Sequence, residues 1–163
     1  GTGRSAVFSA AAASAVRGSG LGLLGIGLPD IPLFAASLLR SLGQIARGYG
    51  YITSTRKERR IMLLVLDAAL AGGMEYPALS DQLDQALSGT ELTGLSEQEL
   101  ADRVAGKLAE ELLAANFLQG IPLAGVVGGV LDSRLTARLL DYAALKYNRR
   151  FLLDHRPAGA AGL

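Results

Sequence analysis

The hydrophobic pattern of the chain alternates between amphipathic stretches with a helical period and apolar stretches broken by glycine and proline. In the clearest amphipathic stretch an aliphatic residue recurs every four positions, at Leu100, Val104, Leu108 and Leu112. Apolar residues at that spacing lie on one face of a helix. The preceding motif "SEQE" at 96–99 fits a capping box, so we predict that this helix begins there.

Further helices are predicted from their caps and breaks. One runs from about residue 30 to Arg47, where the sequence "GYGY" follows and stops it. The next begins at the capping box "TRKE" (55–58) and ends at Gly72-Gly73. A polar connection follows it, with a short helix around Asp81 to Leu87. The last helix is predicted to start with Asp132 or Ser133 as its N-cap.

Two strongly apolar stretches are interrupted by helix breakers. In "GIGLPDIPLF" (25–34), Asp30 stands between Pro29 and Pro32, which predicts the end of one helix and a new helix capped by Asp30. This interruption disfavours a continuous membrane span, and "FLQGIPLAGVVGGVLD" (117–132) is too short for one. We therefore predict an all-α fold, a compact bundle of about five or six helices with two Gly/Pro-broken apolar helical hairpins.

The charges are distributed unevenly along the chain. The 163 residues carry a net charge of +1 and have a mean hydropathy of +0.30. Between Glu75 and Glu111 there are nine acids and two bases, whereas the remainder carries 14 bases and six acids. A basic majority beside apolar segments suits an anionic membrane surface, and ordinary charge patchiness on a solvated protein is the alternative.

Composition and motifs exclude several classes of function. The absence of cysteine excludes disulfides and thiolate metal sites, and the single histidine, His155, leaves little for histidine-based metal or triad chemistry. The motif "GLGLLG" (20–25) formally fits a dinucleotide site, but the small-residue stretch before it, "SAVFSAAAASAVR" (5–17), predicts a helix rather than the required strand. No phosphate-binding loop and no G-x-S-x-G motif occurs. We expect no cofactor, no metal and no nucleic-acid partner, and we favour a non-catalytic role over an enzyme.

Two sets of residues are candidates for function. The candidate polar or ligand site comprises Asp30, Arg40, Arg47, Tyr49, Tyr51 and Asp132. We interpret its arginines as part of a buried Arg–Asp network, with a pocket for an acidic head group or substrate as the alternative. The candidate membrane contact, drawn from "RKERR" and "KYNRR", comprises Arg56, Lys57, Arg59, Arg60, Arg149 and Arg150. Solvated helix ends are the alternative for this second set.

Three segments of the chain resemble the EcsC family: "GLPDIPLFAASLLRSLGQIARGYGY" (27–51), "ERRIMLLVLDAAL" (58–70) and "IPLAGVVGGVLDSRLTARLLDYAALKYNRRFL" (121–152). The proline–aspartate turn, the "YGY" motif and the second Gly/Pro turn match the family pattern. Two positions depart from it, since Ile52 follows "YGY" where an acid is expected and Asp132 stands where asparagine is expected. The resemblance implies a bacterial α-helical protein whose founding member is encoded beside an ABC transporter, in a setting connected with protein secretion.

The resemblance transfers no catalytic residue, and it predicts one EcsC-like helical domain over residues 1–156 that lacks part of the family's N-terminus. Residues 157–163 are predicted to be a flexible tail. We expect a non-catalytic accessory domain in the cytoplasm, peripheral to the inner face of the plasma membrane. Anionic lipid and a transporter or secretion-related protein are its expected partners.

Two alternatives to this function remain open. One is a soluble helical domain that binds a hydrophobic or acidic small molecule, or an enzyme, through Asp30 with Arg40 or Arg47. The other is a toxin-like pore former, which an ionisable residue such as Asp30 within an apolar hairpin disfavours.

Overall fold

The computed structural model describes residues 31–89, 94–118 and 128–156. These residues form five α-helices and no strand, which confirms the all-α prediction. In chain order the helices are α1 (Ile31–Gly48), α2 (Arg56–Leu70), α3 (Glu75–Leu87), α4 (Glu97–Leu118) and α5 (Gly128–Asp154). Most of the two predicted apolar hairpins lies outside the described residues. The domain bounds at 1–156 and the tail at 157–163 also extend beyond them and stay predictions.

Two helices begin at the caps that the sequence predicted. At the start of α2, Thr55 Oγ1 accepts a hydrogen bond from the Glu58 backbone N–H at 3.1 Å. At the start of α4 the bonds are reciprocal: the Ser96 N–H donates to Glu99 Oε2 at 2.7 Å, and the Glu99 N–H donates to Ser96 Oγ at 3.3 Å. These bonds satisfy backbone donors that the helix itself leaves without partners.

Two other helix starts differ from the prediction. Helix α5 begins at Gly128, so the N-cap predicted at Asp132 or Ser133 is wrong and both residues lie inside the helix. Glycine costs a helix only about 1 kcal/mol, which the packing of a long helix can offset. Helix α3 is longer than predicted, because Pro77 falls in its first turn, where proline's missing N–H has no helical partner to lose.

Helix α2 is the centre of the bundle. Ten of its 15 residues are buried, and it packs against each of the other four helices. A helix that is apolar around most of its circumference belongs in a core rather than on a surface. The neighbouring helices contribute fully buried side chains to the same core, at Leu38, Leu42, Leu83, Leu108, Leu139 and Tyr147.

Pairs of contacting residues give the directions of the helices. Helices α2 and α4 run in parallel, because Arg59 pairs with Glu97 and Asp67 pairs with Lys107 further along both. The residues that follow α1 contact the end of α5, where the rings of Tyr49 and Phe151 lie 5.8 Å apart. The end of α1, the start of α2 and the end of α5 therefore meet at one end of the bundle. None of the described helices is both long enough and apolar enough to cross a membrane.

Candidate functional site

A buried carboxylate lies where α2 begins and α5 ends. Glu58 is 4% exposed, and its Oε1 accepts a hydrogen bond from the Tyr147 hydroxyl at 2.6 Å. Arg150 Nη1 lies 3.1 Å from Oε1 and 2.9 Å from Oε2, so it donates to both oxygens. The Arg150 side chain is itself only 11% exposed. The two buried charges therefore compensate each other, as burial requires.

The other face of Arg150 contacts the loop between α1 and α2. Its guanidinium lies over the ring of Tyr51, 3.8 Å from the ring centroid, at cation–π distance. The Tyr51 hydroxyl donates to Asp154 Oδ2 at 2.8 Å, and Arg150 Nε lies 3.8 Å from the same oxygen. We call these five residues, Glu58, Tyr147, Arg150, Tyr51 and Asp154, the Glu58 network.

Both tyrosines of the Glu58 network have a pKa above that of a free tyrosine. Burial, with the hydrogen bond to Asp154 as the next cause, raises the pKa of Tyr51 to about 12. Burial raises the pKa of Tyr147 as well, and the negative charge of Glu58 adds to the effect. Both phenols thus act as donors whose acceptors are carboxylates. Each charged group in the network has a partner of opposite charge. The network therefore has a structural role, in which it attaches the α1–α2 loop to α5.

A second buried carboxylate lies further along α2. Asp67 is fully buried, with an oxygen 2.9 Å from Lys107 Nζ and the other 3.5 Å from Arg103 Nη1. Neither oxygen accepts a hydrogen bond of good geometry. The attraction of Asp67 to Lys107 and Arg103 is therefore mainly electrostatic. Lys107 Nζ also lies 3.1 Å from Glu75 Oε2. This cluster holds α4 and the start of α3 against α2. Across the described residues, no group of acidic or histidine side chains is arranged to hold a metal ion.

The surface above the Glu58 network is basic. Its exposed cations are Arg47, Arg56, Lys57, Arg149 and Arg156. Two exposed aliphatic side chains lie among them: Ile52 is 68% exposed and Leu152 is 61% exposed. We call this surface, formed by residues 47–57 and 149–156, the basic end. Its acid Asp154 is occupied by the Tyr51 hydroxyl and by Arg150, which leaves an excess of positive charge within these two segments.

The residues predicted to contact a membrane divide into two groups. Three are engaged inside the protein: Arg59 pairs with Glu97 at 2.8 Å, Arg60 Nη2 donates to the Leu95 carbonyl at 2.8 Å, and Arg150 belongs to the Glu58 network. The other three, Arg56, Lys57 and Arg149, are exposed at the basic end, and Arg149 also contacts Asp84. Membrane contact by the exposed three stays a prediction.

The residues of the predicted polar site are dispersed. Arg40 and Arg47 are exposed, so the interpretation that they form a buried network is wrong. They lie on the solvent face of α1, opposite the buried Leu38 and Leu42. Arg47 Nη1 donates to Thr53 Oγ1 at 3.2 Å. An enzyme or ligand site that relies on these arginines gains no support from their placement.

The remaining members of that set have different surroundings. Tyr49 is half-buried against Phe151, and Tyr51 belongs to the Glu58 network. Asp30 lies outside the described residues, and of Asp132 only the backbone, which is helical, is described. Their assignment to a ligand site stays a prediction.

Sequence reasoning missed two members of the Glu58 network. Tyr147 had a detectable signal, because it follows Leu139 and Ala143 at intervals of four on the buried face of α5. Asp154 had none, because it contacts Tyr51, 103 residues away, and no local pattern encodes such a contact.

Comparison with known proteins gives a family match. The sequence model of the EcsC protein family matches residues 4–152, which covers most of the chain. No curated protein and no solved structure matches it significantly.

Proposed function

The chain belongs to the EcsC protein family, and from that premise we propose that it is a non-catalytic accessory domain that binds anionic membrane through its basic end. The proposal places it in the cytoplasm, at the inner face of the plasma membrane. The ABC transporter encoded beside the family's founding member supports a transporter or secretion-related protein as its membrane partner. One observation carries the proposal: five exposed cations share one end of the bundle with the exposed aliphatic side chains of Ile52 and Leu152.

The charge of the basic end is of the right size for reversible attachment. A lysine or arginine near an anionic leaflet gains about 1 kcal/mol. Five such residues therefore give at most about 5 kcal/mol, and Arg149 contributes less because Asp84 already contacts it. A free energy of this size corresponds to a dissociation constant of roughly the millimolar to sub-millimolar range. Such binding depends strongly on salt, because the charges involved are exposed.

Two of these cations occupy positions that helix stability does not favour. Arg56 and Lys57 lie in the first turn of α2, where the helix dipole is positive. A cation there costs about 0.3–1 kcal/mol instead of contributing stability. Their presence at that position supports a role towards an anionic partner.

Sedimentation with vesicles tests the proposal. The protein should pellet with phosphatidylglycerol vesicles at low salt, remain in the supernatant with phosphatidylcholine vesicles, and be released from the former by salt. Arg56→Glu should weaken vesicle binding about thirtyfold, because it removes one attraction and adds one repulsion of about 1 kcal/mol each. Recovery of the unmodified protein wholly in the supernatant at low salt would refute the proposal.

The same variant separates binding from folding. Arg56→Glu places an acid at the start of α2, so it should slightly raise the free energy of unfolding while it lowers vesicle binding. A folding defect would lower both the free energy of unfolding and the vesicle binding. The matched control is Arg134→Glu, an equal change of charge at an exposed position near the start of α5, away from the basic end. Equal loss of binding in both variants would show that net charge alone is responsible.

A further inference from the structure

We propose that the loop at 49–55 between α1 and α2 is the part of this protein that enters the lipid, with Ile52 as its inserted side chain. The inference rests on the proposed function and adds to it the segment that penetrates. Single exposed aliphatic residues are common on protein surfaces, so exposure alone decides nothing. What distinguishes Ile52 is its position, in the segment of the basic end that joins α1 to α2.

Charge complementarity identifies a bilayer as the occupant. Ile52 is flanked in the chain by exposed bases at Arg47, Arg56 and Lys57. An exposed aliphatic side chain that lies between exposed basic residues in the chain matches the interface of an anionic bilayer, where phosphates lie immediately above hydrocarbon. By contrast, the exposed Met74 at the other end of α2 is followed by the acid Glu75, which an anionic surface repels.

The structure holds the loop in place on both sides of Ile52. On one side, Tyr49 packs against Phe151, and the Tyr51 hydroxyl is bonded to Asp154. The Tyr51 N–H also donates to the Ala46 carbonyl at 3.0 Å. Gly50 has a φ of +87°, a conformation that lets the chain turn sharply at this point.

On the other side of Ile52, the buried Thr53 accepts from Arg47, and Thr55 caps α2. The neighbours of Ile52 are therefore anchored while its own side chain faces solvent. Because folding has already ordered the loop, insertion does not have to supply that ordering free energy. Tyr51 is a positioning residue in this account, since it acts on the lipid only through Ile52.

A tryptophan probe can report insertion directly, because the chain contains no tryptophan. The emission of an Ile52→Trp variant should shift to shorter wavelength with phosphatidylglycerol vesicles and be quenched by brominated acyl chains. The matched control is Leu33→Trp, since Leu33 is also 68% exposed but lies near the start of α1. That position is about 22 Å from the end of α1 at 1.5 Å per residue, so its emission should not change.

Ile52→Ser should lower vesicle partition about tenfold, and Leu33→Ser should leave it unchanged.

The outcomes separate this inference from the proposed function. Co-sedimentation without a spectral shift of the Ile52→Trp probe overturns the inference and leaves membrane binding intact. Absence of co-sedimentation overturns both. A shift of the Leu33→Trp probe instead means that the opposite end enters the lipid. A shift of the Ile52→Trp probe with inorganic phosphate alone means local anion binding without insertion. Either of these last two results overturns the inference.

The anchoring of the loop has its own test. Tyr51→Phe, added to the Ile52→Trp protein, removes the bond to Asp154 and should reduce quenching by brominated lipid. Salt-sensitive co-sedimentation should persist, because the exposed cations are unchanged. Unaltered quenching overturns the positioning role of Tyr51.

Discussion

Replacing Glu58 by alanine should destabilise the bundle far more than the loss of one hydrogen bond would. The change leaves the Arg150 guanidinium and the Tyr147 hydroxyl without their carboxylate in a place that water barely reaches. Removing one partner of a buried ion pair typically costs about 3–5 kcal/mol. Asp154 remains near Arg150 as a second acid, so we expect the lower part of that range, about 3 kcal/mol. Tyr147→Phe removes one donor and keeps both Arg150 contacts, so it should cost only about 1–1.5 kcal/mol.

Urea denaturation followed by helical circular dichroism measures this difference. In a chain of this size, 3 kcal/mol corresponds to a fall in melting temperature of about 6–12 °C. The control is Glu110→Ala, because Glu110 is an exposed acid on α4 and its loss should change the free energy of unfolding by less than about 0.5 kcal/mol. If Glu58→Ala unfolds at the same urea concentration as this control, the buried pair adds no net stability and the reasoning fails.

Two further predictions concern the other buried acid, Asp67, and Tyr51. Asp67→Asn should cost about 1–3 kcal/mol in the same urea assay, because the buried amide N–H groups face Arg103 and Lys107 without an acceptor. Lys107 keeps Glu75 as a partner, so the loss should stay below that of Glu58→Ala, and a larger loss would contradict this. Because the pKa of Tyr51 is raised from 10 to about 12, the unfolded chain releases this proton first, so its contribution to stability is complete below pH 10 and is lost towards pH 12. Urea midpoints between pH 8 and 11 should therefore fall less steeply for Tyr51→Phe, and an equally steep fall would count against the assignment.

Local sequence patterns predicted the helices well where caps and periodicity agree. Helix α4 has both, since its capping box and its four leucine and valine positions lie where the pattern placed them. The start of α5 was missed because Asp132 and Ser133, which favour helix N-caps, lie inside the helix instead. The spacing of Arg40 and Arg47 shows that they lie on one face of α1. It does not show whether that face is buried or exposed to solvent.

The candidate site was less predictable than the helices, for a physical reason. Glu58 was predicted as part of the capping box at 55–58, and its partner Arg150 lies 92 residues further along the chain. Which base meets which acid depends on the directions in which α2 and α5 pack. Helical periodicity carries no information on those directions, so the pairing could be seen only in the folded bundle.

The long separation between Glu58 and Arg150 also has a consequence for biosynthesis. A ribosome adds about 5–20 residues per second, so roughly 5–18 seconds pass between the synthesis of Glu58 and that of Arg150. During that interval the central helix is made but its last neighbour is missing, and the apolar side that α5 will cover stays uncovered. We expect the nascent chain to need protection from aggregation until α5 emerges, and the bundle to fold slowly for an all-helical protein.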